Sequence, residues 1–432
     1  MGTEISLDIG GLSIDWSKNS RGDDHGSLFQ DSNVKRVRSN QINYEYFVEK
    51  GENPATMEMA FVRPLKDVVP RLELLGFTLE SAKTEYLDVL AACNDERESL
   101  DSDATPELMS FDEFFSFATT NAIQSLDDTF VRSHNEKKIR GRFDDEGLTQ
   151  RIPQFYRDSW SVYSERSYFG SLISALHPYT ILRVLAENRD NLEAEVVWQY
   201  GPLVEAGWAS KSDFIPAARR TQTFLIATEG SSDVHIISHA FSILRPDIAD
   251  FFRFIDVSEG HPFSGTGNLL KFAEGLVKID VQNQIVFLFD NDAEGYDAYR
   301  RLQRLSLPVN MRGMMLPEID VFRAFPVRGP EGNGTADINR RAAAIECYLD
   351  LSLVEQPLAR VIWTNYKREL DSYHGALEHK ENYIKTFLKQ TRETLSSGNY
   401  DVSKLNAVLE SIIHECTAIA SSLNLPMMTK WE

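Results

Sequence analysis

Hydrophobic positions fall into short runs whose spacing changes several times along the chain. Near the start Ile5, Leu7 and Ile9 alternate with polar residues, and Leu12, Ile14 and Trp16 do so again after Gly10-Gly11. Period-two alternation interrupted by two glycines predicts a β-hairpin with a two-residue turn. Helical spacing follows over residues 71–93, 111–130 and 168–188, with an acidic linker at 94–106 and prolines at 54, 64, 70, 106 and 153. From residue 223 the pattern becomes apolar runs of four to six residues alternating with amphipathic stretches. Residues 223–228, 254–257 and 285–289 read as strands, and 234–244, 269–277 and 295–305 as helices. Strand alternating with helix at this pitch predicts a parallel sheet. Helical spacing then runs through 353–390 and 402–424, where Leu405, Leu409, Ile412, Ile413 and Ala418 form an apolar stripe. The expected architecture is α/β: a parallel sheet flanked by helices, preceded by a mainly helical α+β domain and followed by a helical C-terminal segment. The expected divisions are 1–215, 221–351 and 352–432.

The run 285–289 ends in Asp290-Asn291-Asp292, with Gly295 opening the next helix. Residues i and i+2 of a strand point to one side, so both carboxylates can aim at a single point. Carboxylates that close repel, and a shared divalent cation relieves them. A second reading has Asp292 capping the helix and Asp290 in solvent. Upstream, Glu229 sits at the end of the strand 223–228, where open α/β sheets gather ligand groups. Asp233 follows one helical turn later, Gly230 permits a tight turn, and Ser231 or Ser232 can cap the helix.

Composition narrows the picture. With 432 residues and 42% hydrophobic content, the chain can bury two or three cores. It has no run of eighteen apolar residues, so no membrane span is expected. The N-terminus lacks a basic segment followed by an apolar one, so no secretory signal is expected. Cys93, Cys347 and Cys416 share no paired spacing, which excludes a zinc ribbon and a disulfide framework and fits a reducing cytoplasm. A net charge of -20 argues against a protein that coats nucleic acid unselectively. The densest basic stretch, 132–142, has five Lys or Arg in eleven residues and reads as a solvated loop or a local contact patch. His25, close to Asp23 and Asp24, reads as part of a polar turn rather than a metal ligand.

Glu229-Gly230-x-x-Asp233, then Asp290-Asn291-Asp292, then Ile345-Glu346-Cys347-Tyr348-Leu349, resembles the Toprim domain, the metal-binding fold of topoisomerases, bacterial primases and several nucleases. The likeness is greatest to the nuclease branch of overcoming-lysogenization-defect proteins and the Toprim effector of PARIS-type phage defence. It covers residues 221–351. The resemblance implies a Toprim-type parallel sheet and a catalytic, metal-binding set of Glu229, Asp233, Asp290, Asp292 and Glu346. It also implies a Mg²⁺- or Mn²⁺-dependent nuclease in antiviral defence, a nucleic-acid substrate (DNA or RNA left open), a partner ATPase or sensor protein, and a homo-oligomer. The chemistry agrees, because phosphodiester hydrolysis needs an activated water and neutralisation of phosphoryl charge. Five acidic side chains favour two ions, one on Asp290 and Asp292 with Glu346 supporting, and one on Glu229 and Asp233. Glu229 serving as general base is the other arrangement. Arg340, Arg341 and Lys367 are candidate cations for the transition state.

The opening, residues 6–11, 15–19 and 24–26, resembles the N-terminal domain found ahead of HEPN or Toprim domains and implies an accessory or sensing role. Arg368-x5-His374 is similar in spacing to the arginine and histidine of HEPN ribonucleases. Two other functions therefore stand beside the nuclease: a HEPN-type RNase with a regulatory Toprim part, and a non-catalytic interaction protein. A topoisomerase lacks a tyrosine context, and a primase lacks its zinc module.

Overall fold

The computed structural model describes residues 2–38, 42–51, 53–99, 106–132, 136–154, 162–257, 260, 262–352, 358–367 and 372–428. The chain divides into two compact units, 1–219 with 424–432, and 220–423.

In the first unit Ile5, Leu7 and Ile9 all point inward from the strand Glu4–Ile9, and the polar residues between them are partly exposed. Its hairpin partner is Leu12–Lys18. Gly10 and Gly11 adopt positive φ of 55° and 83°, the conformation a two-residue turn requires. The full antiparallel sheet runs Leu12–Lys18, Glu4–Ile9, Glu195–Gln199, Met59–Pro64, Val34–Arg36. Helices Leu65–Leu74, Leu79–Ser99, Phe111–Thr120, Glu165–Ile173 and Pro178–Leu185 supply the rest of its core. The helix expected over 71–93 is two helices broken at Gly76, whose φ is 89°. The second of them runs on to Ser99, into the stretch read as linker, and the helix expected over 111–130 stops at Thr120.

The second unit holds a four-stranded parallel sheet in the order Met311–Met315, Gln284–Phe289, Phe224–Ala227, Phe252–Phe254. Every residue of Gln284–Phe289 is buried, as an apolar run covered on both faces must be. Ile285, Phe287 and Phe289 pack with Leu269, Ala273, Ala298 and Leu302 from the helices Thr266–Lys278 and Ala293–Leu302. The strand expected at 254–257 lies earlier, at Phe252–Phe254.

One expectation fails outright. Residues 353–390 are not a continuous helix: Val361–Lys367 and Ser372–Leu377 form an antiparallel hairpin in a sheet with Phe325–Gly329 and Gly332–Ala336. Val361, Ile362, Trp363, Thr364 and Tyr366 are β-branched or aromatic, and that local preference prevails over the loose helical spacing. Helix resumes at Lys380–Phe387 and Ser403–Met428. Among the described residues, no helix is long and apolar enough to cross a membrane.

Candidate functional site

The carboxyl-terminal ends of the two central parallel strands lie side by side, so Glu229 and Asp290 leave the sheet together. The backbone N–H of Asp290 donates to Glu229 Oε1 at 3.1 Å, and the Thr266 hydroxyl donates to Glu229 Oε2 at 2.6 Å. Asp233, in the first turn of Ser231–Leu244, accepts from the Gly230 N–H at 2.9 Å. It caps its own helix start, a role the sequence reading gave to Ser231 or Ser232.

Beyond Phe289 the chain makes a two-residue antiparallel bridge, Asn291–Asp292 against Ala342–Ala343. That bridge brings the following turn, Ile345–Tyr348, under the acidic strand end, where the Ile345 N–H donates to Asp290 Oδ1 at 3.2 Å. Glu346, 3% exposed, arrives on the same turn. Asn291 points to the other side of the strand and is wholly buried. Its amide donates to Asn339 Oδ1 and to the Tyr348 hydroxyl, and its oxygen accepts from the Arg340 N–H. The Tyr348 hydroxyl in turn donates to the Pro317 carbonyl at 2.7 Å. This neutral network holds the turn that presents the acids.

Asp292 serves two purposes. Its Oδ1 accepts from the Gly295 N–H at 2.7 Å and caps Ala293–Leu302. Its Oδ2 lies 3.8 Å from His374 Nδ1, a buried nitrogen with no hydrogen-bond partner among the described residues. The capping reading of Asp292 therefore holds for one oxygen, while Asp290 is part-buried, its Oδ1 engaged by the Ile345 N–H, rather than facing solvent. Gly295 is obligatory here, because a Cβ at that position would sit 2.2 Å from the Asp290 carbonyl oxygen.

All five predicted acids come into electrostatic reach of one another, with Asp290 at the hub. Burial raises its proton affinity well above the ordinary carboxylate range, and Asp233, Glu229, Asp292 and Glu346 each raise it further. Burial likewise pushes Glu229 up to about 7, aided by Asp292 and Asp233 against the Thr266 and Asp290 hydrogen bonds. Asp233 is also pushed up to about 7 by burial, with Glu346 adding to it. Asp292 is raised by burial despite the Gly295 N–H and nearby His374. Lys380 supplies compensating charge, its ammonium 2.9 Å from Glu346 Oε1.

Of the expected cations, Arg340 is engaged elsewhere. Arg340 turns to Glu318 at 2.5 Å and stacks 5.1 Å over the Tyr296 ring. Arg341 is exposed, and the Lys367 side chain lies outside the described residues. Arg368 lies outside them too. His374 is on the strand Ser372–Leu377, not on the helix that a HEPN-type arrangement requires. The sequence reading did not single out Thr266, Asn291 or Lys380. Asn291 sits inside the acidic motif and could have been noticed; Lys380, 34 residues after Glu346, carries no local signal. His25 is buried rather than in an open polar turn: its Nε2 meets Asp15 Oδ2 at 2.9 Å and its Nδ1 the Tyr179 hydroxyl at 3.2 Å.

Among the described residues, no three His, Cys, Asp or Glu side chains stand in a ready-made metal-holding group. The donor set still suits a hard divalent cation by chemistry, since it is all carboxylate oxygen and short of positive charge.

Fold and site together define a mixed α/β protein of two units, one with an acidic cluster at the carboxyl-terminal ends of the central strands of a parallel sheet. The chain belongs to the family described as HEPN/Toprim N-terminal domain 1, which matches residues 1–222 of the 432. Membership suggests a nuclease-related function. No curated protein and no solved structure matches the chain.

Proposed function

We propose that the protein is a Mg²⁺- or Mn²⁺-dependent Toprim nuclease that hydrolyses phosphodiester bonds in nucleic acid, acting in the cytoplasm as an effector of antiviral defence. The observation that carries this reading is the convergence of buried Glu229, Asp233, Asp292 and Glu346 on the part-buried Asp290, with only partial compensation of charge. Folding such a group against its own repulsion stores a demand for a cation. Asp290, Asp292 and Glu346 would hold one ion and Glu229 with Asp233 another; the ions would supply charge neutralisation and an acidified water. The chain's own part is to hold these oxygens. Gly295 lets the helix Ala293–Leu302 start close under Asp290, Thr266 fixes one Glu229 oxygen, and the Asn291 network locks the turn. Lys380 brings a positive charge that can meet a phosphate oxygen.

Incubating the full chain with single-stranded and duplex DNA and RNA, in Mg²⁺ or Mn²⁺, tests the reading. Cleavage is expected for the native chain and should vanish in Asp290→Asn with the fold intact. Cleavage that persists in Asp290→Asn, or none on any substrate with either ion, overturns it. The HEPN alternative is not retained, because His374 faces Asp292 from a strand.

A further inference from the structure

The first unit contains a cavity of about 570 Å³ between the edge strand Leu12–Lys18 and the segment that runs from Glu165–Ile173 into Pro178–Leu185. That volume is within the range of small-molecule sites. Its lining is half apolar, with Leu12, Ile14, Val89 and Leu176 among the residues, and it contains neither lysine nor arginine among the described residues. Two large aromatic residues on its wall remain exposed, Trp16 at 58% and Tyr163 at 39%. Trp16 lies on the outermost strand of the sheet among the described residues.

The polar lining is oriented in advance. His177 is fixed from three sides: its N–H donates to Glu85 Oε1, its Nδ1 accepts from the Tyr179 N–H at 3.1 Å, and its ring stacks 4.7 Å from Phe77. Because Nδ1 accepts, the neutral ring must carry its proton on Nε2, leaving that edge as a donor. Burial holds His177 down to about 4, so the ring is neutral at physiological pH. Ser171 and Ser174 donate their hydroxyls to main-chain carbonyls and keep acceptor capacity. Asp15, the one charged lining residue, has both oxygens engaged, by the Trp16 N–H and by His25.

We propose that this cavity binds an uncharged planar heterocycle of nucleobase or nucleoside size, stacking on Trp16 and accepting a hydrogen bond from His177 Nε2. With no cation among its described lining residues, the wall favours the uncharged form over a phosphate-bearing one, which separates the site from a nucleic-acid backbone groove. The first unit then has a ligand of its own, independent of the acidic cluster.

Calorimetric titration of the full chain with adenosine, guanosine, cytidine and uridine, and with the matching 5′-monophosphates, tests this. At least one nucleoside should bind, and its monophosphate should bind roughly tenfold more weakly or worse. Trp16→Ala, at an exposed position that does not endanger the fold, should weaken binding roughly tenfold, and His177→Ala should do so as well. No binding by any of the four nucleosides at millimolar concentration overturns the proposal. So does a monophosphate that binds as tightly as its nucleoside, or binding that Trp16→Ala leaves unchanged.

Discussion

The two units bury polar groups on opposite principles. In the first, the buried acid Glu85 has donors of its own, the His177 N–H and the Thr180 hydroxyl, both at 2.5 Å, and the part-buried Asp15 accepts from His25. In the second, Glu229 is equally well provided, by Thr266 and the Asp290 N–H, yet the carboxylates of Asp233, Asp290 and Asp292 crowd around it. What distinguishes the clusters is therefore not missing hydrogen bonds but like charge. A buried acid with private donors steadies a fold, whereas several acids sharing one space work against it and persist only where something else needs them.

The largest effect expected from breaking this contrast is on chemistry. Asp290→Asn should lower nucleolytic turnover about a thousandfold, or about 4 kcal/mol of barrier, measured with excess Mg²⁺. The same substitution should raise the melting temperature of the metal-free protein, since it removes a charge from the hub. Glu85→Ala should do the reverse, destabilising the chain by about 2–4 kcal/mol through two orphaned buried donors and leaving cleavage per folded molecule unaltered. Denaturant titration alongside a turnover assay separates the two. Gly295→Ala should cost about 1–3 kcal/mol, because the Asp290 carbonyl must give way, and should impair turnover as well.

The smallest effect is a pH dependence. Glu229 and Asp233 bind protons more tightly folded, near 7, than as free carboxylates. The folded state thus carries extra protons between the ordinary carboxylate range and about 7. Stability from these groups is complete below that range and lost as pH rises through the folded value. In chelator, melting temperature should fall from pH 5 toward pH 8, and Mg²⁺ should restore it at pH 8 but not at pH 5. A flat profile, or equal rescue at both pH values, would sink the shared-charge account.

The legible parts of the sequence were those governed by local rules. Alternation around Gly10-Gly11 gave the hairpin, and the unbroken apolar run before Asp290 gave a strand covered on both faces. The acidic residues were visible because two of them end adjacent strands and two others sit on the turns that follow. What escaped was set by tertiary contacts. Nothing near Lys380 announces Glu346, and nothing near His374 announces Asp292. The region 353–390 misled because leucines and lysines at helical intervals flank a β-rich centre, and pairing with Phe325–Gly329 decides its conformation.

Gly295 has a use outside this molecule. Because the helix start passes so close to the Asp290 carbonyl, the geometry amounts to a spelling rule: acid, any residue, acid, two residues, glycine. Asp-x-Asp alone is too common to search with, whereas the version extended by that glycine filters sequence collections for chains able to build this particular turn. A chain with a larger residue at the last position would have to route its acidic strand differently, and should not inherit a role by alignment to this one.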